Sequence, residues 1–200
     1  TMNYNKMVSF YQNLFSCKPM YASEDITFMS FDEEHHRIAI ANTSPVFDGL
    51  GFVPKTVIKF KNWINRVTPS IVGLDHISYK LNPIDKWFDF YFRAKDRGLE
   101  PYWTINHGWI SGIYYKDPDG NLVEIFYEHW RNQEEFKTEV STRGFPEEPV
   151  GTNMDIETLY AMYKDGTPYE DIVRKGNTVP EGRKPISGME AAMNMRKKFK

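Results

Sequence analysis

GIYYKDPDGNLVEIFYEHW, residues 112–130, is the stretch on which the fold turns. Two alternating runs, Ser111–Lys116 and Leu122–Tyr127, flank the turn DPDGN. Asp, Pro, Asn and a glycine able to take positive φ, here Gly120, predict a tight hairpin. A three-residue loop, Pro118-Asp119-Gly120, pairs Asp117 with Asn121 and sets Tyr114 across from Glu124 on one face of the sheet. Glu124 lies between Val123 and Ile125 in a run that reads as buried, and a carboxylate is seldom buried without a partner. The plainer reading of Glu124 alone is a surface residue on a half-exposed strand.

Working outward, LDHISYKL (residues 74–81) alternates as a strand, with His76, Ser78 and Lys80 on one face and Ile77, Tyr79 and Leu81 on the other. Between it and the hairpin, KWFDFYFRAKDRGLEPYW runs from Lys86. Trp87, Phe90, Tyr91 and Ala94 fall on one helical face, and a short strand, Pro101–Trp103, follows. About 80 residues earlier, KMVSFYQNLFSCKPMY from Lys6 repeats this plan. Met7, Phe10, Tyr11 and Leu14 form its stripe, and strands are expected at Pro19–Tyr21, Thr27–Phe31 and Arg37–Ala41. The reading is α+β: paired βαβββ modules forming a curved mixed sheet, with a C-terminal helical tail. The first module covers residues 1–41, an inter-module insertion 42–73, the second module 74–143, and the C-terminal extension 144–200. The first module lacks its opening strand. By alignment with the second, five or more residues are expected before Thr1, which makes this a shortened form of a longer protein. In the tail, GFPEEPVGTN reads as a connector, Asp155 as the cap of a helix over Ile156–Tyr163, and DGTPYEDIVRKG as a second short helix.

Composition narrows the classes of function. A net charge of −2 gives no basic field for nucleic acid or an anionic membrane. No apolar run is long enough to cross a bilayer. A single cysteine, Cys17, rules out an internal disulfide and a thiolate metal cluster, and fits a reducing, cytoplasmic setting. Aromatic residues make up 16% of the chain, enough to line a pocket for a flat apolar molecule as well as a core. A homo-oligomer is compatible with all of this.

Five positions could carry chemistry. A His on the first strand and a Glu on the last strand of one module, His76 and Glu124, can share a divalent metal. With a second His they form a two-His-one-carboxylate face, which favours non-haem Fe(II), with Mn(II) as a substitute. Tyr114, ten residues before Glu124, can hydrogen-bond what the metal activates. In EEHHRIAIA (residues 33–41), His36 shares a strand face with Ile38 and could serve as an acid or base, or simply open an exposed strand. His107, in TINHGWISG, sits on a loop leading into the Tyr114 strand.

Together these residues resemble the vicinal-oxygen-chelate superfamily and, within it, the type I extradiol ring-cleavage dioxygenases. His76 opens the last module as a family iron ligand does, and Glu124 follows YYKDPDGNLV as the family carboxylate ligand does. Tyr114 matches the family's active-site tyrosine. In HHRIA, His36 rather than His35 aligns with the catalytic histidine, and His107 resembles a further histidine near the substrate. PVGTNMDIETLYAMYKDGTP is similar to C-terminal extensions of some small members. The resemblance implies an Fe(II) enzyme in which a small aromatic diol of the catechol type chelates the metal and is cleaved by O2. It implies acid/base work for His36, and hydrogen bonds to the substrate oxygens for Tyr114 and His107. The family's other metal histidine would lie before Thr1, and the span from His36 to His76 is longer than the family's, so a metal-free or inactive chain stays open. Rival readings are a non-redox metalloenzyme of the isomerase or glyoxalase kind, and a small-molecule binding or resistance protein. The first module offers Ile38 and Ala39, not a carboxylate, where a glyoxalase-type site would want one.

Overall fold

The computed structural model describes residues 1–34, 36–45, 76–130 and 151–179, with 56, 57, 60 and 134. Most of the expected 42–73 insertion, and residues 135–150 of the second module and its connector, fall outside that set. The chain divides into two compact units. One comprises Thr1–His76, Ala94–Glu100 and Lys116–Leu122, and the other Ile77–Arg93, Pro101–Tyr115 and Val123–Lys200.

In the first unit, helix α1 spans Tyr4–Phe15 and buries Met7, Phe10 and Leu14. The 3- and 4-residue steps between these positions place them on one stripe. The helix ends at Ser16, which takes the left-handed conformation with φ 58°. Arg97 donates to the Asn13 carbonyl and to Ser16 Oγ, each at 2.8 Å, so a last-turn acceptor finds a cation. Strands β1 (Lys18–Ala22), β2 (Ile26–Ser30) and β3 (Ile38–Ala41) follow as an antiparallel sheet in that order. Met7, Cys17, Met29 and Ile40 form its core beneath α1, with Tyr4, Val8, Tyr11, Phe15 and Ile38 around them. The hairpin loop also belongs here. Asp117 accepts from the backbone N–H groups of Asp119 and Asn121 at 3.0 and 2.8 Å, and Tyr11 donates to its other oxygen at 3.2 Å. Asn3 donates to Asp119 at 2.8 Å.

The second module runs β4 (His76–Lys80), α2 (Ile84–Asp96), β5 (Trp103–Asn106), β6 (Ile110–Lys116) and β7 (Leu122–Glu128). Strand β8 (Thr152–Asn153), helix α3 (Ile156–Lys164) and the single turn α4 (Tyr169–Ile172) follow. The strand order is β4-β7-β6-β5-β8. β5 is antiparallel to both β6 and β8. Contacts between β4 and β7 climb in one direction along both strands: Ser78 meets Glu124, and Leu81 N–H then donates to the Phe126 carbonyl at 2.8 Å. These strands are therefore parallel and the sheet is mixed, joined through a helical crossover. α2 seats Trp87, Phe88, Phe90 and Tyr91 in the core, and the Trp87 indole N–H donates to the Ile125 carbonyl at 3.1 Å. α3 lies against α2, with Tyr160 and Tyr163 ring centroids 5.1 and 5.4 Å from that of Phe88. Its cap is the expected one: Thr158 N–H donates to Asp155 Oδ1 at 2.7 Å.

The α+β class matches the reading of the sequence. Three local expectations do not. The strand placed at Pro101–Trp103 begins at Trp103 instead, since Gly98, with φ 75°, turns the chain out of α2 and proline brings no N–H to a ladder. Asn153 and Thr152, read as connector, pair with Ile105 and Asn106 to add β8 at the edge of the sheet. His36 does not lie in a strand, because β3 begins at Ile38. Arg37 closes the preceding loop through Asp32, Nε to Oδ2 at 2.9 Å, and its own N–H donates to the Met29 carbonyl at 2.8 Å. No helix among the described residues is long and apolar enough to cross a membrane.

Candidate active site

The hairpin register fixes the core of the site. Asp117 N–H donates to the Asn121 carbonyl at 3.0 Å, and Gly120, with φ 94°, closes the loop. That pairing puts Tyr114 opposite Glu124, as the turn chemistry predicts. Both are buried, Tyr114 at 5% and Glu124 at 2% exposure, so Glu124 is not the surface residue of the plainer reading. Ser78 on β4 donates its hydroxyl to Glu124 Oε2.

Gly112 supplies the room. A Cβ at this position would lie 2.5 Å from Glu124 Oε1 and 3.2 Å from Tyr114 Cε2. Any side chain there would occupy the space into which the carboxylate points. Sequence reasoning passed over both Gly112 and Ser78. Gly112 carried the better signal, since a glycine inside a β-run often marks a close approach.

His107 follows β5 on a short turn whose N–H donates to the Ile110 carbonyl at 2.9 Å. Its Nε2 lies 3.4 Å from the Tyr114 hydroxyl, at the long end of hydrogen-bond range. Trp103 packs beside the Tyr114 ring with centroids 5.5 Å apart, and its indole N–H is held by Asn153 Oδ1 at 2.8 Å. The structure thus gathers His107, Tyr114 and Glu124 in one unit. His36 lies in the other unit, exposed, with its ring 5.1 Å from that of Phe28. His76 is the half-buried first residue of β4 and closes the first unit.

Chemically, the arrangement offers a buried carboxylate, a phenol and an imidazole. A buried carboxylate gains from a cation, and a hard oxygen donor suits a divalent one. The space over Gly112 lies at Oε1, beyond the oxygen that Ser78 engages, so Glu124 fits the place of one metal ligand. Among the described residues, no three His, Cys, Asp or Glu side chains gather into a metal-holding group.

Residues 1–125 match the sequence profile of the Glyoxalase/Bleomycin resistance protein/Dioxygenase superfamily. The chain is 27% identical over 169 residues to biphenyl-2,3-diol 1,2-dioxygenase 3 of Rhodococcus globerulus, covering 84% of this chain and 80% of that one. It is also 27% identical over 172 residues to biphenyl-2,3-diol 1,2-dioxygenase 2 of the same organism, covering 86% and 82%. Among solved structures, a glyoxalase/bleomycin resistance protein/dioxygenase from Alicyclobacillus acidocaldarius aligns with a TM-score of 0.45 at 15% identity, over 67% of this chain and 88% of that one. With the profile spanning more than half of its length, the chain belongs to the glyoxalase/bleomycin resistance protein/dioxygenase superfamily.

Proposed function

We propose that this protein is an Fe(II)-dependent extradiol dioxygenase acting on a catechol-type aromatic diol, with Mn(II) able to replace iron, working as a soluble cytoplasmic enzyme. The observation that carries the reading is that Tyr114 reaches His107 with its hydroxyl and shares with the buried Glu124 the room that Gly112, lacking a side chain, leaves to them. The names of the two Rhodococcus globerulus relatives supply the substrate class, a biphenyl-2,3-diol.

In this reading Glu124 is the carboxylate ligand and His76 a histidine ligand. An iron ion held there would supply a Lewis-acidic centre with open positions for the two oxygens of a diol and for O2. The protein's own groups do the rest. Tyr114 offers a hydroxyl donor to a substrate oxygen, and His107, within reach of that hydroxyl, takes or returns the proton. Ser78 keeps one Glu124 oxygen fixed, so the carboxylate presents the other toward the cradle over Gly112. The Trp103 ring shields Tyr114 from water and gives a flat aromatic face beside it. His36 enters as acid or base from the family resemblance.

Anaerobic loading with Fe(II), then 2,3-dihydroxybiphenyl and air, tests the proposal. A yellow ring-cleavage product should appear. Tyr114→Phe should slow it roughly a hundred- to thousandfold, because it removes one hydrogen bond that strengthens in the transition state. Binding of the diol to iron-loaded protein without product would favour a binding module. Full turnover by Tyr114→Phe would remove the hydroxyl from the mechanism.

A further inference from the structure

The turn that carries His107 is gripped from two sides by buried polar groups with no part in the proposed chemistry. His129, one residue beyond β7, is 6% exposed. Its Nδ1 lies 3.1 Å from the Gly108 carbonyl and its Nε2 2.9 Å from Ser111 Oγ. A carbonyl can only accept, so Nδ1 carries the proton and the Ser111 hydroxyl donates to Nε2 in the neutral ring. Burial pushes the His129 imidazole down to about 4, so that neutral form persists through ordinary pH. The His129 backbone N–H donates to the Trp109 carbonyl at 3.1 Å. One residue thus reaches Gly108, Trp109 and Ser111, three of the four that follow His107.

Asn106 grips from the opposite side and is fully buried. Its Oδ1 accepts from Gly108 N–H at 2.7 Å, while Nδ2 donates to the Val173 and Arg174 carbonyls at 3.0 and 3.2 Å. The backbone at Gly151 passes so close that a Cβ there would lie 2.3 Å from the Asn106 carbonyl oxygen and 2.7 Å from His107 Cα. The tail also reaches His129: the Tyr169 hydroxyl donates to its carbonyl at 2.9 Å. Burying an imidazole and a carboxamide is unfavourable unless each makes its hydrogen bonds, and here those bonds meet on one turn.

We propose that His129 is a positioning residue. By bridging Gly108 and Ser111 it sets the pitch of the turn that aims His107 at Tyr114, and the segment from Gly151 to Arg174 clamps that turn through Asn106. The proposal rests on the reading of His107 as a proton-handling group. It deepens that reading by making the C-terminal extension part of the site.

The test uses the full chain and two readouts. The first is the long-range 1H–15N spectrum of the histidine side chains in metal-free protein, which does not depend on turnover. The second is ring cleavage of 2,3-dihydroxybiphenyl by the iron-loaded form, resolved into kcat and KM. Wild type should show His129 as a single Nδ1–H tautomer between about pH 5 and 8. His129→Gln, whose amide reaches the Ser111 side only, should broaden or shift the His107 signals and lower kcat about tenfold or more, with a smaller change in KM. His129→Asn places an amide N–H near the Nδ1 position and should restore both toward wild type. Ser111→Ala removes one anchor with little change in volume. It should move the His107 signals in the same direction to a smaller extent, and it decides the matter if both His129 variants misfold. Unaltered His107 signals in folded His129→Gln, or in Ser111→Ala, overturn the positioning role whether or not wild type cleaves the diol. If wild type does not cleave it while the His107 signals respond as described, the dioxygenase reading falls and the positioning role stands.

Discussion

At the scale of single residues, the site depends as much on a missing side chain as on those present. Gly112 lies inside β6 with its backbone outside the left-handed region, so alanine is permitted there. The clash would fall on Glu124 Oε1, 2.5 Å from the new Cβ, at the far end of a side chain and not on backbone. Gly112→Ala should therefore survive by swinging the carboxylate aside. We expect a stability loss of about 1–3 kcal/mol, typical of overpacking, and at least a tenfold weaker Fe(II) affinity by competition with a chelator. Unchanged affinity would place the metal's carboxylate elsewhere. Tyr114 and Glu124 were legible in the sequence because turn chemistry fixes register, and register fixes which residues face each other. Gly112 was legible only as a warning, because a sequence does not say what approaches a glycine. His129 gave no signal: a histidine at a strand end looks like a solvated terminus until β6 and the His107 turn close over it. The expected strand position of His36 failed because a loop pair, Asp32 with Arg37, claims the residues before Ile38.

Among the elements, helices and long strands were readable because a 3.6- or 2-residue period accumulates over many positions. α2 buries the stripe that its spacing predicts and α1 all of its stripe but the half-buried Tyr11, while β6 goes further than its alternation and buries both faces from Ile110 to Tyr115. β8 was not readable, since two residues hold no period and the strand exists only because β5 offers it a ladder. α3 shows how a short element is secured. It has nine residues, too few to hold helix in isolation, and relies on Asp155 at its start and on packing against α2. Asp155→Ala should cost about 1 kcal/mol, read as a lower denaturant midpoint with an unchanged m-value. Because the cap only starts the helix, Asp155→Asn or Asp155→Ser should restore most of the loss. Failure of both to do so would assign the effect to something other than the Thr158 N–H bond.

For the molecule as a whole, the same His129 that shapes a turn ties stability to pH. Its folded pKa, about 4, lies below the ordinary value of 6.5, so between these values the unfolded chain binds a proton that the folded chain refuses. The contribution of the neutral buried ring is complete above pH 6.5, shrinks as pH falls through that window, and reaches its full loss near pH 4. The size is about 3 kcal/mol. Urea midpoints followed from pH 7.5 to 4.5 should fall for wild type, and His129→Asn should flatten that slope between pH 6.5 and 4.5. An identical slope in the variant would assign acid lability to the carboxylates. A different kind of consequence follows from the pairing of Asn106 with Thr152, 46 residues later in the chain. A ribosome adds roughly 5–20 residues per second, so strand β5 leaves it roughly 2–9 seconds before its edge partner has been made. During that interval the strand leading into the His107 turn carries an open row of N–H and C=O groups, the feature that recruits other strands. For that interval the nascent protein carries its proposed catalytic edge sticky, and the pairing of β5 with Thr152 and Asn153 is the step that ends its exposure to neighbouring chains.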